Sequence, residues 1–238
     1  MIDYGLLVGL IVAFAVPAIL ARRWRLATFD PPVGFVDAAL GPATLSLTVG
    51  RLSALALDDP RSFTKVADLL VIRSGVEFWP GVAAGMVFVW WTARRAGVPP
   101  VMRLSALAPL CMVGYAAYEA SCVLRDGCYG PISPVGLQPQ GITSTMLPVG
   151  LLVAVAVAIG AILLHVRAQG DGATGTLLPA AVGLVAAARS VASFWLPKVG
   201  SGLTRQHRTS IVVGVAAIAW LTVRPVLTAI RGSTVVSS

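Results

Sequence analysis

Seven stretches of predominantly apolar residues follow one another along this chain, each close to the ~20 residues a helix needs to cross a bilayer. They cover 4–21, 33–57, 76–93, 104–124, 146–164, 176–196 and 210–229. Lipid offers no hydrogen bonds to a backbone, so such runs fold as helices. The expected class is an all-α polytopic membrane protein with seven transmembrane helices. They would form a single transmembrane domain over 1–231, followed by a disordered tail at 232–238. Composition agrees: 57% of the residues are hydrophobic and 12% are charged, whereas a soluble domain carries about 25% charged residues.

The connections carry the remaining polarity. Segment 58–75, DDPRSFTKVADLLVIRSG, is amphipathic and is expected to lie at the interface on the outer face or to make a short helix. Segment 125–145 is rich in Gly, Pro, Gln, Ser and Thr and is expected as an ordered loop or re-entrant element, and 165–175 as a short polar turn. The net charge of +8 does not point to nucleic acid. The basic residues cluster beside apolar runs, in ARRWR (21–25) and ARRAG (93–97), as the positive-inside rule and anionic headgroups require. No nucleic-acid partner is expected. The first apolar run has no positive residues before it, unlike a signal peptide. It is expected as a first membrane helix, with the N-terminus outside and the C-terminus cytoplasmic. Nine Lys/Arg then fall on the inner side and seven outside, and the tight clusters decide the orientation.

Three charges interrupt the apolar runs: Arg51, Glu119 and Arg189. A charge at mid-membrane costs at least ~2.5 kcal/mol, so such residues mark function by default. Arg51 lies about seven residues from the outer end of its segment, where snorkelling is the plain alternative. Arg189, flanked by alanines in GLVAAARSVASFW, lies mid-segment. Glu119, in YAAYEASC, either pairs with one of these arginines as structural glue or serves as a general base. A planar guanidinium matches a phosphate with two parallel hydrogen bonds. In a lipid-facing site that phosphate belongs to a phospholipid headgroup. No phosphate-binding Gly loop, Ser-His-Asp arrangement or metal-ligand spacing is legible, and no metal or cofactor is expected. The odd number of cysteines does not make a disulfide framework. Cys111 and Cys122 are expected as small apolar helix residues and Cys128 as a turn residue. The glycines of 114–136 are expected as turn makers.

The order of these features resembles the prolipoprotein diacylglyceryl transferases of bacterial inner membranes. Tyr4-Gly5-Leu6 looks like the family's first-helix Tyr-Gly-Leu, and Gly50-Arg51-Leu52 like its Gly-Arg-Ile/Leu. Ser74-Gly75 through Gly81, then Ala93-Arg94-Arg95, resembles its Gly-Gly-Leu-Ser-Phe-His-Gly-Gly start and Ala-Arg-Arg end. Gly114 to Gly130, ending Cys122…Gly127-Cys128-Tyr129-Gly130, is similar to the family signature. Val185 to Phe194, with Arg189, resembles the arginine-bearing sixth helix, and Gln206…Ser210 the opening of the last. Departures are equally specific. Trp79-Pro80 stands where the family has His-Gly, Glu119 where it has the signature arginine, and Ser193 where it has a glutamate. Gln138-Pro139-Gln140-Gly141-Ile142-Thr143-Ser144 keeps only the proline of its post-loop motif.

The resemblance implies transfer of diacylglyceryl from phosphatidylglycerol to the lipobox cysteine of a secreted precursor, in a bacterial plasma membrane. Its partners would be phosphatidylglycerol, lipobox-containing precursors and membrane lipids. Arg51 and Arg189 would hold the phosphate, with Tyr129 and Gly130 beside the substrate. Glu119 would be the base, and Tyr4 or Tyr129 would assist in orientation. Two alternatives stay open. The replaced histidine and arginine fit a non-catalytic relative that binds phospholipid or a partner. A transporter would use the charges as a relay, against which stands the lack of repeated halves.

Overall fold

The computed structural model describes residues 4–24, 35–58, 60, 76–125, 128–171, 175–196 and 203–235. Among the described residues, seven α-helices occupy the seven expected segments. They are α1 (Tyr4–Arg23), α2 (Phe35–Asp58), α3 (Phe78–Arg95), α4 (Pro100–Ala120), α5 (Val149–Asp171), α6 (Leu177–Trp195) and α7 (Arg205–Val235). Among the described residues, 39–58, 100–124, 149–169 and 177–195 are long and apolar enough to cross a membrane. α5 runs on through His165 to Asp171, so the polar turn expected from residue 165 begins later. α7 continues to Val235, taking 232–235 out of the expected tail. The amphipathic 58–75 lies outside the described residues apart from Asp58 and Pro60.

The apolar residues of α5 show why these helices belong in lipid. Val153, Val157, Ala161 and Leu164 are buried on one face, while Val155, Ile159, Ile162, Leu163 and Val166 are all more than half exposed on the other. A helix apolar all round is at home in a large core or in a membrane. α7 does the same with Val212, Val215, Ile218 and Trp220. At the end of α3, Arg94 lies over the Trp90 ring at 4.6 Å and Arg95 over Trp91 at 3.8 Å. Aromatic residues beside basic ones are the pairing expected at a membrane–water boundary.

The chain divides into two compact units: 24–104, and 1–23 together with 105–238. In the first, α2 and α3 pack at close range. α3 buries Gly81, Gly85, Val89 and Ala93, one residue per turn. A Cβ at Gly81 would lie 2.7 Å from the Ser46 carbonyl oxygen, and one at Gly85 would collide with the Ser46 hydroxyl. Small residues at this spacing let two backbones approach as neighbouring membrane helices do. The chain entering α3 crosses α2 at Gly50, where the Glu77 amide donates to the Gly50 carbonyl at 3.0 Å.

In the other unit, α4 packs on α1 through Gly114, where a Cβ would stand 2.8 Å from the Ala13 carbonyl oxygen. Gly114 therefore serves close helix approach, not the turn expected of it. A 3-10 turn, Ser121–Arg125, ends α4 against α1 and α5. The expected ordered loop then contains a strand, β1 (Ile132–Leu137), which bridges to Met146. Its ladder includes Ser133 N–H to the Thr145 carbonyl at 3.0 Å and Leu147 N–H to Pro131 at 3.1 Å. The turn between the two arms uses Gly141 at φ +76°, a conformation glycine adopts without steric cost.

Candidate active site

Three helix ends meet at the loop end of the larger unit: the last turns of α4 and α6 and the first turn of α7. A polar cluster is built there in otherwise apolar helices. Arg189, two turns before the end of α6, donates from Nη1 to the Tyr115 hydroxyl at 2.7 Å and from Nη2 to Gln206 Oε1 at 3.4 Å. The same Nη1 lies 3.6 Å from Glu119 Oε1. Glu119 therefore faces Arg189. Of the two roles left open for it, pairing with an arginine is the one the geometry displays. Its base role stays a proposal.

Tyr115 and Glu119 are four residues apart on α4, and residues so spaced share a helix face. Both thus reach the same guanidinium, and Arg189 also sits 5.7 Å from the Tyr115 ring centroid. The Arg189 and Glu119 side chains keep 17% and 14% of their surface exposed. The cluster is thus largely, but not fully, closed. The i,i+4 spacing of Tyr115 and Glu119 was visible in the sequence and would have identified Tyr115.

Cys122 and Cys128 form a disulfide, with Cα atoms 5.7 Å apart. This corrects the expectation of an apolar helix residue and an unpaired turn residue. The 3-10 turn folds the chain back so that the two cysteines meet, and Cys111 is the one left over. The Glu119 carboxylate and both sulfurs lie within 4.8 Å of one another. The bond packs on Gly150, where a Cβ would lie 2.9 Å from that of Cys128 and 3.0 Å from the Glu119 carbonyl oxygen. The clasp thus ties the Glu119-bearing end of α4 to the start of α5.

Tyr129 is buried, and Gly130 donates to the Leu147 carbonyl at 2.8 Å. A Cβ at Gly130 would lie 3.1 Å from the Trp195 carbonyl oxygen. The two therefore seat the loop on the end of α6, six residues beyond Arg189. Tyr4 opens α1, and its side chain lies outside the described residues.

Arg51 belongs to the smaller unit. Only 6% of it is exposed, and it follows the Gly50 crossing point. Glu77, 5% exposed, is a buried acid at that crossing which sequence reasoning did not single out. Trp79, at the position of the family histidine, stacks edge-on with Phe78 at 5.0 Å.

Sequence reasoning also missed a Ser–His pair. The Ser193 hydroxyl and His207 Nδ1 are hydrogen-bonded between α6 and α7. His207 is 1% exposed, and its backbone N–H donates to Thr204 Oγ1 at 3.2 Å. The Phe194 ring packs edge-on against the imidazole at 4.7 Å. Fourteen residues separate the pair, so no local spacing announces it.

A comparison with curated proteins returns no match. The family model described as prolipoprotein diacylglyceryl transferase matches residues 2–223, nearly the whole length, and the chain belongs to that family.

Proposed function

We propose that this multi-pass membrane protein transfers a diacylglyceryl group from phosphatidylglycerol to the lipobox cysteine thiol of a precursor protein. The observation that carries the reading is the half-open Arg189 cluster. It holds a guanidinium in a polar cluster among otherwise apolar helices, with part of its side chain still accessible. In this reading Arg189 binds the phosphate and offsets the charge on the departing glycerol phosphate, as fixed donors do where charge develops. Glu119 and Tyr115 fix the guanidinium plane. Arg51 is the substrate-binding residue of the smaller unit, and Tyr129 and Gly130 carry the loop beside the substrate.

Seven membrane spans put the loop end of the larger unit outside, with the N-terminus outside and the C-terminus cytoplasmic. The Cys122–Cys128 disulfide supports this, because such bonds persist on the oxidising side of a membrane. A plasma membrane is the matching location.

A second reading rests on Trp79-Pro80. A bulky indole in place of the family imidazole fits a relative that keeps the lipid groove without turnover. One experiment separates the two. Purified protein in nanodiscs is given phosphatidylglycerol labelled in its diacylglyceryl group and a lipobox peptide, beside Arg189→Ala. Thioether product that vanishes in the variant supports the transferase. Phospholipid binding with no product from the unaltered protein supports the non-catalytic relative.

A further inference from the structure

The transferase reading needs a group that ionises the acceptor thiol, because the thiolate is the nucleophile. Glu119 commits its carboxylate to Arg189 at 3.6 Å. The position of the family histidine is Trp79. Among the described residues near Arg189, the Ser193–His207 pair offers another proton acceptor. Ser193 lies four residues after Arg189 on α6, so both project from one face. The two helices are joined there by successive bonds: Arg189 to Gln206, and Ser193 to His207. Ser193 is half-buried while His207 is fully buried. Of the two, Ser193 is the one with surface left for a substrate thiol to approach.

We propose that Ser193 and His207 form the proton relay that ionises the acceptor thiol, a role that rests on the transferase reading above. The Ser193 hydroxyl proton has two acceptors in reach, the Ser190 carbonyl at 2.7 Å and His207 Nδ1. With the imidazole proton on Nε2, Nδ1 is free to accept. The thiol proton moves to Ser193 Oγ as the hydroxyl proton moves to Nδ1. The thiolate attacks the glyceryl carbon that bears the phosphate ester oxygen. A C–S bond forms and the C–O bond breaks. The electron pair leaves with glycerol phosphate, whose added negative charge faces Arg189. The proton on His207 returns through Ser193 to the departing phosphate or to water. Ser193 touches the substrate in this scheme, and His207 acts through it.

The test uses the full chain in nanodiscs with two acceptor peptides, one carrying cysteine and one carrying selenocysteine. A selenol is ionised at neutral pH without help. Ser193→Ala and His207→Gln should each lower kcat with the thiol about 100-fold or more, the usual contribution of a positioned base. The phospholipid KM should not move. With the selenol acceptor both variants should come within a few-fold of the unaltered protein. Equal losses with thiol and selenol, or no loss with either, would overturn the relay and leave the transferase reading standing. No transfer by the unaltered protein to either acceptor would overturn both.

Discussion

Arg51 and Arg189 look alike in the sequence, each a lone arginine in an apolar run, yet their surroundings differ in kind. Arg51 belongs to a helix pair packed through Gly81 and Gly85, and it is 6% exposed. Arg189 belongs to a polar ladder of Tyr115, Glu119 and Gln206 at the end of its unit, with 17% of its side chain open. The helix pair is closed by small residues that admit no added atom. The ladder is held by hydrogen bonds whose donors can also turn to a ligand. An arginine in a half-open ladder is preorganised for an anion.

The largest expected effect is at Arg189. Arg189→Ala should lower kcat for diacylglyceryl transfer about 1,000-fold, the upper range for removing one charge-stabilising donor. Arg189→Lys should recover only part of this, since an ammonium cannot make the two parallel bonds. Full activity in Arg189→Ala would erase the distinction between the two arginines. Arg51→Ala should act on binding, raising the phospholipid KM about tenfold, measured over a titration of the lipid in nanodiscs. A kcat loss as deep as that of Arg189→Ala would place both arginines in the chemistry.

The helix pair itself can be probed without touching either arginine. Gly81→Val forces atoms into the 2.7 Å gap at the Ser46 carbonyl. Overpacking of this kind costs about 1–3 kcal/mol. It should lower the thermal midpoint in detergent by several degrees, and an unchanged midpoint would show that α2 and α3 are looser than their glycines imply. Glu119→Gln is the mildest change. An amide still accepts from Arg189, so transfer should fall only a few-fold if the residue orients Arg189. A loss of 100-fold or more would restore Glu119 to the role of base.

Much of the fold was legible because lipid enforces one rule, that apolar runs of span length become helices. All seven segments coincide with helices, with ends shifted by a few residues. Arg51, Glu119 and Arg189 stood out for the same reason, as charges in apolar runs. What escaped depended on chain reversals. The Cys122–Cys128 bond needed the 3-10 turn after α4, and the strand at Ile132–Leu137 needed its partner at Met146. Gly114 reads alike as a turn residue or a helix contact until α1 is seen against it.

The sequence by itself determined the solvent of this protein, where its long helices run among the described residues and the residues too polar for their surroundings. Hydropathy is a local property summed along the chain. Only the tertiary structure decided that Glu119 turns to Arg189, that Tyr115 and Gln206 complete the ladder, and that Ser193 meets His207. Those partners come from different helices. Which side chains meet depends on helix rotation and depth, and close packing of small residues sets both.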